Sequence, residues 1–436
     1  MVRHFRSRSE LFDASIMDPK PDPSYDRAAA DRFMAQKLWC GEGDSLKVLP
    51  WRIQSYWNPE YAECGQKFEP WLYGWQIERT LWGAYSATGD EKYARAGMDF
   101  RIQWVLDNCP SPKMTGIEAS HQVWNELAAT SRAPGHLAYV FSRVFKYPGF
   151  SNDEQLIYFM HWYDNAEFLL GTDVGGNWLA QAATGLYEFG RTFPEFKRSP
   201  EFASWGAEKL IEVSLETVRP DGTQQEAAIK DHAMVARRLK ALMDDYSRGE
   251  TKLDETVVPR LKRNLAGMYE WMAHTLQPDG FVVMCGDSWH EDYREELADV
   301  GRKVGRPDFV WIATKGKEGK PPAETSKSFP DGGYFIMRSD FGGDGRPFED
   351  ARQLYVHNGG WVGSHGHWDL LSVALYAYGR PLLIDPGGMW QAPEGHPDNY
   401  WQSRIHSMLV ADGLDVTRDP GPTWWMAGEG ADYLDG

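Results

Sequence analysis

HGHWDLLSVALYAYGRPLLIDPG, from His365 to Gly387, is followed at Arg404 by RIHSMLVADG, which ends at Gly413. Residues 370–377, 381–385 and 406–411 read as three short strands, rich in apolar and β-branched residues and separated by turn residues. If the chain is extended through His365, His367 and Asp369, their two-residue spacing puts all three side chains on one face. Asp385 closes an apolar run, so its carboxylate is expected to be partly buried. A buried charge must be paired, hydrogen-bonded or metal-bound. Two imidazoles and a carboxylate from three neighbouring strands fit a Zn²⁺ site with one position left for water. The same residues also fit histidines hydrogen-bonded within a core.

Strand-like pieces recur upstream at 333–338 and 353–357, and residues 315–329, rich in Gly, Lys and Pro, read as an exposed loop. Short strands in succession without intervening helices indicate an antiparallel sandwich. Before Pro278-Asp279-Gly280 the texture differs. Amphipathic segments of helical length fall at 70–87, 91–107, 118–145, 153–169, 176–191, 199–217, 226–247 and 256–276, the pattern of stacked helical hairpins. Thr88-Gly89-Asp90 reads as the close of one helix and the opening of the next, and Asn152 as an N-cap. The expected fold is therefore α+β and multidomain, with helices over 1–277 and an antiparallel sandwich over 278–436. The chain stops at Gly436, part-way through the expected sheet, so a truncated C-terminus is expected.

With 46 basic and 63 acidic residues the formal charge is −17, which argues against a nucleic-acid partner, since phosphate neutralisation needs a basic surface. No apolar run is long enough to span a bilayer, so no membrane partner is expected. The N-terminus lacks the apolar core of a secretion signal. Cys40, Cys64, Cys109 and Cys285 lack metal-type spacing and are expected as thiols. Twenty each of Trp, Tyr and Phe give 14% aromatics, and tryptophans beside polar residues, such as Trp178, Trp361 and Trp401, offer faces for sugar rings or for helix packing.

The ordered pair of motifs resembles the central signature of heparinase II/III-like enzymes: an HGH-x-D strand, a GRPLL-x-DPG strand and a later strand opening on histidine. Weaker resemblances run in the same order through AYSATGDEKYA at Ala84, Gly176-Asn177-Trp178, PDGTQQEAAIKDH at Pro220 and Gly286-Asp287-Ser288. The resemblance implies an incomplete α/α toroid followed by a β-sandwich, and a structural zinc held by His367, Asp385 and His406. It further implies a lyase that cleaves an acidic polysaccharide or oligosaccharide by β-elimination beside a uronic acid. By the same resemblance the protein is bacterial and periplasmic or secreted, although without a signal peptide in this sequence a cytoplasmic location stays open. Oligomeric state is not legible.

Such chemistry must stabilise charge developing on the carboxylate, remove the C5 proton and protonate the departing O4 oxygen. The resemblance makes Asn177 the carboxylate contact and points His365 toward substrate, as base or polarising partner. Trp178, Glu226, His232 and Tyr400 complete the candidate substrate contacts. The resemblance implies a tyrosine immediately before the histidine, as family members usually carry there, where this chain has Asp231. Either Asp231 takes the acid role, or Tyr73 or Tyr400 substitutes, or the reaction has changed. A glycoside hydrolase using Glu226 and Asp231, or a non-catalytic carbohydrate-binding relative, are the alternatives.

Overall fold

The computed structural model describes residues 27–34, 37–39, 46–48, 75–107, 129, 147, 149–343, 345–360, 365–388, 400–416, 419–428 and 430–436. The chain divides into two compact units, Met1–Lys209 and Leu210–Gly436.

The first unit is built from helices α1 (Arg27–Met34), α2 (Trp75–Thr88), α3 (Glu91–Asp107), α4 (Asn152–Leu169) and α5 (Gly176–Thr192), with a short ribbon β1 (Lys37–Trp39) and β2 (Leu46–Val48). Helix α6 (Ser199–Thr217) carries the division between the units. Gly89, at φ +69°, ends α2, and the Asp90 carboxylate accepts from Lys92 N to start α3, as expected. At α4 the cap is Ser151 rather than Asn152. Its hydroxyl accepts from Glu154 N while the Glu154 carboxylate accepts from Ser151 N, so two otherwise orphaned donors are satisfied reciprocally. Much of the aromatic content is spent here: Phe159, Phe189, Phe193 and Phe202 interlock with Tyr158, Trp162 and Trp82 in one buried cluster. The helix expected at 118–145 lies almost wholly outside the described residues, as do Cys40, Cys64 and Cys109.

In the second unit, α7 (Ile229–Ser247) packs on α8 (Val258–Thr275), and two short helices follow, α9 (Arg294–Val304) and α10 (Pro307–Ala313). Gly305, at φ +72°, stops α9, and Pro307 opens α10. Five antiparallel strands then run in sequence order: β3 (Lys327–Phe329), β4 (Tyr334–Arg338), β5 (Gln353–His357), β6 (Ser372–Ala377) and β7 (Arg380–Leu383). The register aligns Tyr334, His357 and Ser372, then Ile336, Tyr355 and Ala374, on one buried face. That face meets the end of α8, where Trp271 packs on Tyr334 and Arg338 donates to the Leu276 carbonyl. The opposite face is partly covered by a ribbon of β8 (Trp424–Ala427) and β9 (Asp432–Asp435), through Trp425 on Phe335. Among the described residues no helix is long and apolar enough to cross a membrane.

Three further sequence expectations need correction. Residues 365–371 form turns, not a strand, so the alternation of His365, His367 and Asp369 on one strand face does not occur. Residues 406–411 are likewise not a strand. Their chain is turned by a 3₁₀ segment at Ser403–Ile405 and held by side-chain bonds, Ser403 Oγ donating to the Trp368 carbonyl and Ser407 Oγ to the Ile384 carbonyl. The loop expected at 315–329 ends early, because Lys327–Phe329 pairs with β4 and buries Phe329.

Candidate active site

Three turns of the second unit converge around His365. The first, 226–228, leads into α7. Ala227 there adopts φ +58°, and Ser288 Oγ accepts from Ile229 N, satisfying one of the free donors at the helix start. The second is Gly286-Asp287-Ser288. Gly286 sits at φ +58°, and a Cβ on it would lie 2.5 Å from the His365 carbonyl oxygen and 2.6 Å from that of Ala227, so only glycine permits this approach. The third is the 365–369 turn itself, whose His365 carbonyl accepts from Asp287 N at 3.0 Å.

These approaches surround His365 with carboxylates. Its Nδ1 is 3.0 Å from Asp287 Oδ2 and 4.0 Å from Asp231 Oδ2, and its Nε2 is 4.0 Å from Glu226 Oε2. The imidazole is about one-fifth exposed, whereas Asp287 is fully buried. Burial alone would lower the His365 pKa, but the Asp287 hydrogen bond and the charges of Asp231, Glu226 and Asp287 together raise it. For Asp287 burial pushes upward, and hydrogen bonds from His365 and His367 outweigh it, leaving the carboxyl below its ordinary range. Asp231 lies in the first turn of α7, where the helix dipole favours an acidic side chain, with Lys230 Nζ 4.0 Å away. Lys230 also stands 5.5 Å from the ring centre of Trp289, which is half exposed.

Behind His365 the ring of His367 is buried. His367, Asp385 and His406 each offer a ligand atom, and these atoms lie within 4.8 Å of one another. His406 Nδ1 is 3.3 Å from Asp385 Oδ1, and the rings of His367 and His406 are 5.2 Å apart. Asp385 sits two residues beyond β7, where its Oδ1 accepts from Gly387 N. His367 Nδ1, Asp385 Oδ2 and both nitrogens of His406 are buried without a well-directed hydrogen bond. Unsatisfied polar atoms of this kind cost about 1–3 kcal/mol each. Their common focus, two imidazoles and a carboxylate, fits the donor set of a zinc ion. Asp369, the third member of the H-x-H-x-D run, stays out of the cluster, pairing instead with His357 Nδ1 at 3.0 Å.

The remaining candidates are placed as follows. Asn177 is buried at the second position of α5, whose N-cap is Gly175, so it is not the capping residue. Trp178 beside it is 40% exposed. His232 is buried on α7, donating from Nε2 to the Met268 carbonyl at 3.0 Å and resting against Trp271, and burial pulls its pKa down to about 4. Tyr400 lies over the 385–388 turn, since a Cβ on Gly388 would stand 3.0 Å from its Cδ2. Tyr73 falls outside the described residues. Asp287 is the site residue that the sequence reading passed over as a catalytic or binding group. Its signal was an acid set between Gly286 and Ser288 directly after the apolar run 281–285.

Residues 58–303 match the family described as Heparinase II/III N-terminus, and residues 321–433 the family Heparinase II/III-like, C-terminal. The chain is 26% identical over 377 residues to a heparin-sulfate lyase of Pedobacter heparinus, covering 83% of this chain and 55% of that protein. It is 25% identical over 435 residues to the heparin-sulfate lyase of Bacteroides stercoris, covering 92% and 62%. The chain therefore spans a little over half the length of these curated relatives. Among solved structures it resembles the heparan sulfate lyase of Pedobacter heparinus (TM-score 0.67, 22% identity, 99% of this chain and 68% of that one) and Heparinase III (TM-score 0.77, 17% identity, 98% and 69%). The shared fold is a helical toroid followed by an antiparallel β-sandwich.

Proposed function

The chain belongs to the heparinase II/III family, and on that premise we propose that it is a polysaccharide lyase cleaving a uronic-acid-containing polysaccharide by β-elimination. The observation that carries this reading is the surroundings of His365: a partly exposed imidazole gripped by a buried carboxylate, with Asp231 and Glu226 each 4.0 Å away. In a glycoside hydrolase two carboxylates flank the scissile bond with the sugar between them. Here an imidazole stands close to both acids, which suits a histidine that takes a proton and acidic neighbours that share it.

In the proposed reaction His365 removes the C5 proton. Electrons from that bond form the C4–C5 double bond, the C4–O4 bond breaks, and the departing oxygen takes a proton. Asp231, in the place of the family's tyrosine, is the proposed donor of that proton, a role it fills only in its protonated form, so that the proton it loses to O4 is regained before the next turnover. Asn177 keeps the role the resemblance gives it, an amide donor to the uronate carboxylate as charge develops there. Trp178, Glu226 and Tyr400 remain the proposed substrate contacts, while His232, buried on α7 and donating to the Met268 carbonyl of α8, acts by holding those two helices together. A structural zinc held by His367, Asp385 and His406 would fix the turn that carries His365. The proposed division places the toroid at 1–277 and the sandwich at 278–436. The relatives are named as heparin-sulfate lyases, which makes heparan-type chains the first substrates to try, and a periplasmic or secreted location follows from the same proposal.

Elimination creates an unsaturated uronate that absorbs in the ultraviolet, whereas hydrolysis leaves saturated ends. Purified protein is incubated with heparan-type chains, alginate and hyaluronan, and absorbance is followed. Rising absorbance on one of them supports the reading. Saturated fragments would replace it with hydrolysis, and binding without turnover with a non-catalytic relative.

A further inference from the structure

Asp287 does more than fill a buried position, and we infer that it is a positioning residue whose single carboxylate sets the tautomers of both His365 and His367, wiring the proposed base to the proposed metal centre. The inference rests on the lyase reading only for the role of His365, and its geometry is independent of it. Each carboxylate oxygen serves one ring: Oδ2 lies 3.0 Å from His365 Nδ1, and Oδ1 lies 3.0 Å from His367 Nε2. A carboxylate accepts and does not donate, so the proton of neutral His365 must sit on Nδ1 and that of His367 on Nε2. For His365 this turns the Nε2 lone pair away from Asp287, toward the side where Glu226 Oε2 lies 4.0 Å from that nitrogen. For His367 it leaves the Nδ1 lone pair, the buried nitrogen without a hydrogen bond, directed to the cluster with Asp385 and His406.

The backbone reinforces this grip. Asp287 N donates to the His365 carbonyl, and Gly286 makes the approach possible, since any Cβ there would collide with that carbonyl. Asp287 thus holds residue 365 by main chain and side chain at once. A metal-binding histidine is commonly oriented by a carboxylate on its other nitrogen, and losing that partner lowers metal affinity by roughly 10–100-fold. Here one carboxylate would do this for a proposed metal ligand and for the proposed base two residues away.

The test needs no turnover. Histidine-¹⁵N protein, stripped of metal and held at a pH where the ¹⁵N shifts themselves show the rings to be neutral, is examined by two-bond ¹H–¹⁵N correlation, with His365→Gln and His367→Gln supplying the assignments. The expected spectrum shows His365 protonated on Nδ1 and His367 on Nε2. Asn has one accepting and one donating end, so in Asp287→Asn at least one ring must exchange its tautomer, and zinc affinity measured by chelator competition should fall by about 10–100-fold. The opposite tautomer on either histidine of the unsubstituted protein overturns the inference, even if the variant does not fold. So does an unsubstituted chain that binds no zinc, or an Asp287→Asn protein with unchanged tautomers and affinity. A missing lyase activity with the expected tautomers and affinities would instead refute the reaction and leave this wiring intact.

Discussion

Stripping the proposed zinc should destabilise the second unit by an amount that the site itself bounds. His367, Asp385 and His406 bury four polar atoms without adequate hydrogen bonds. At about 1–3 kcal/mol for each of three side chains, roughly 3–9 kcal/mol of unfavourable burial is there for an ion to relieve. The stabilisation actually observed depends on mass action: about 2.7 kcal/mol with free zinc a hundredfold above Kd, and about 4.1 kcal/mol at a thousandfold. For a unit of about 200 residues each kcal/mol moves Tm by about 2–4 °C, so chelation should lower it by about 5–16 °C. Scanning calorimetry reads this directly, with zinc added back to restore the transition and His367→Ala as a chain that no longer responds. An identical Tm with and without chelator, or a His367→Ala protein that still responds fully, would refute the reasoning.

Other outcomes follow from single side chains. His232 has a pKa depressed to about 4, so it contributes stability above its unfolded value of about 6.5 that is lost as pH falls toward 4. At about 1.4 kcal/mol per pH unit, His232→Gln, which cannot titrate, should gain about 2 kcal/mol relative to the unsubstituted protein between pH 8 and pH 5. Denaturant melts at the two pH values check this, and a pH-independent difference would count against it. Asn177→Ala should lower kcat about 10²-fold if the amide stabilises developing charge, and unchanged kinetics would remove it from the reaction. Asp231→Asn should cost about 10²–10⁴-fold in kcat with intact folding, whereas Asp231→Tyr should retain more activity than the asparagine variant. Equal rates for the two would exclude Asp231 as the proton donor.

Helices were legible to within a few residues wherever amphipathic period and punctuation agreed, as at 91–107 and 199–217, because local propensity and burial there point the same way. Strands β4 and β5 were legible for the corresponding reason, since their apolar runs sit between turn residues and are buried in the sheet. The stretch at 406–411 misled because an apolar run after a histidine reads as a strand, yet Leu409 is almost fully exposed and side-chain bonds from Ser403 and Ser407 set the backbone. Helices α9 and α10 carried their stop and start signals in Gly305 and Pro307, but they are short and lie in a stretch otherwise read as turns. The cluster of His367, Asp385 and His406 was legible from motif order. Asp287 was not, because its meaning lies in contacts 78 and 80 residues away, which no local pattern announces.

The most direct test of the central claim is a product assay on heparan-type chains, run in parallel on the unsubstituted protein and on His365→Ala. The account predicts ultraviolet-absorbing unsaturated uronates from the first and at most a trace from the second, with both proteins folded by circular dichroism. Saturated reducing ends from the unsubstituted protein, or unsaturated product formed equally well without His365, would contradict it.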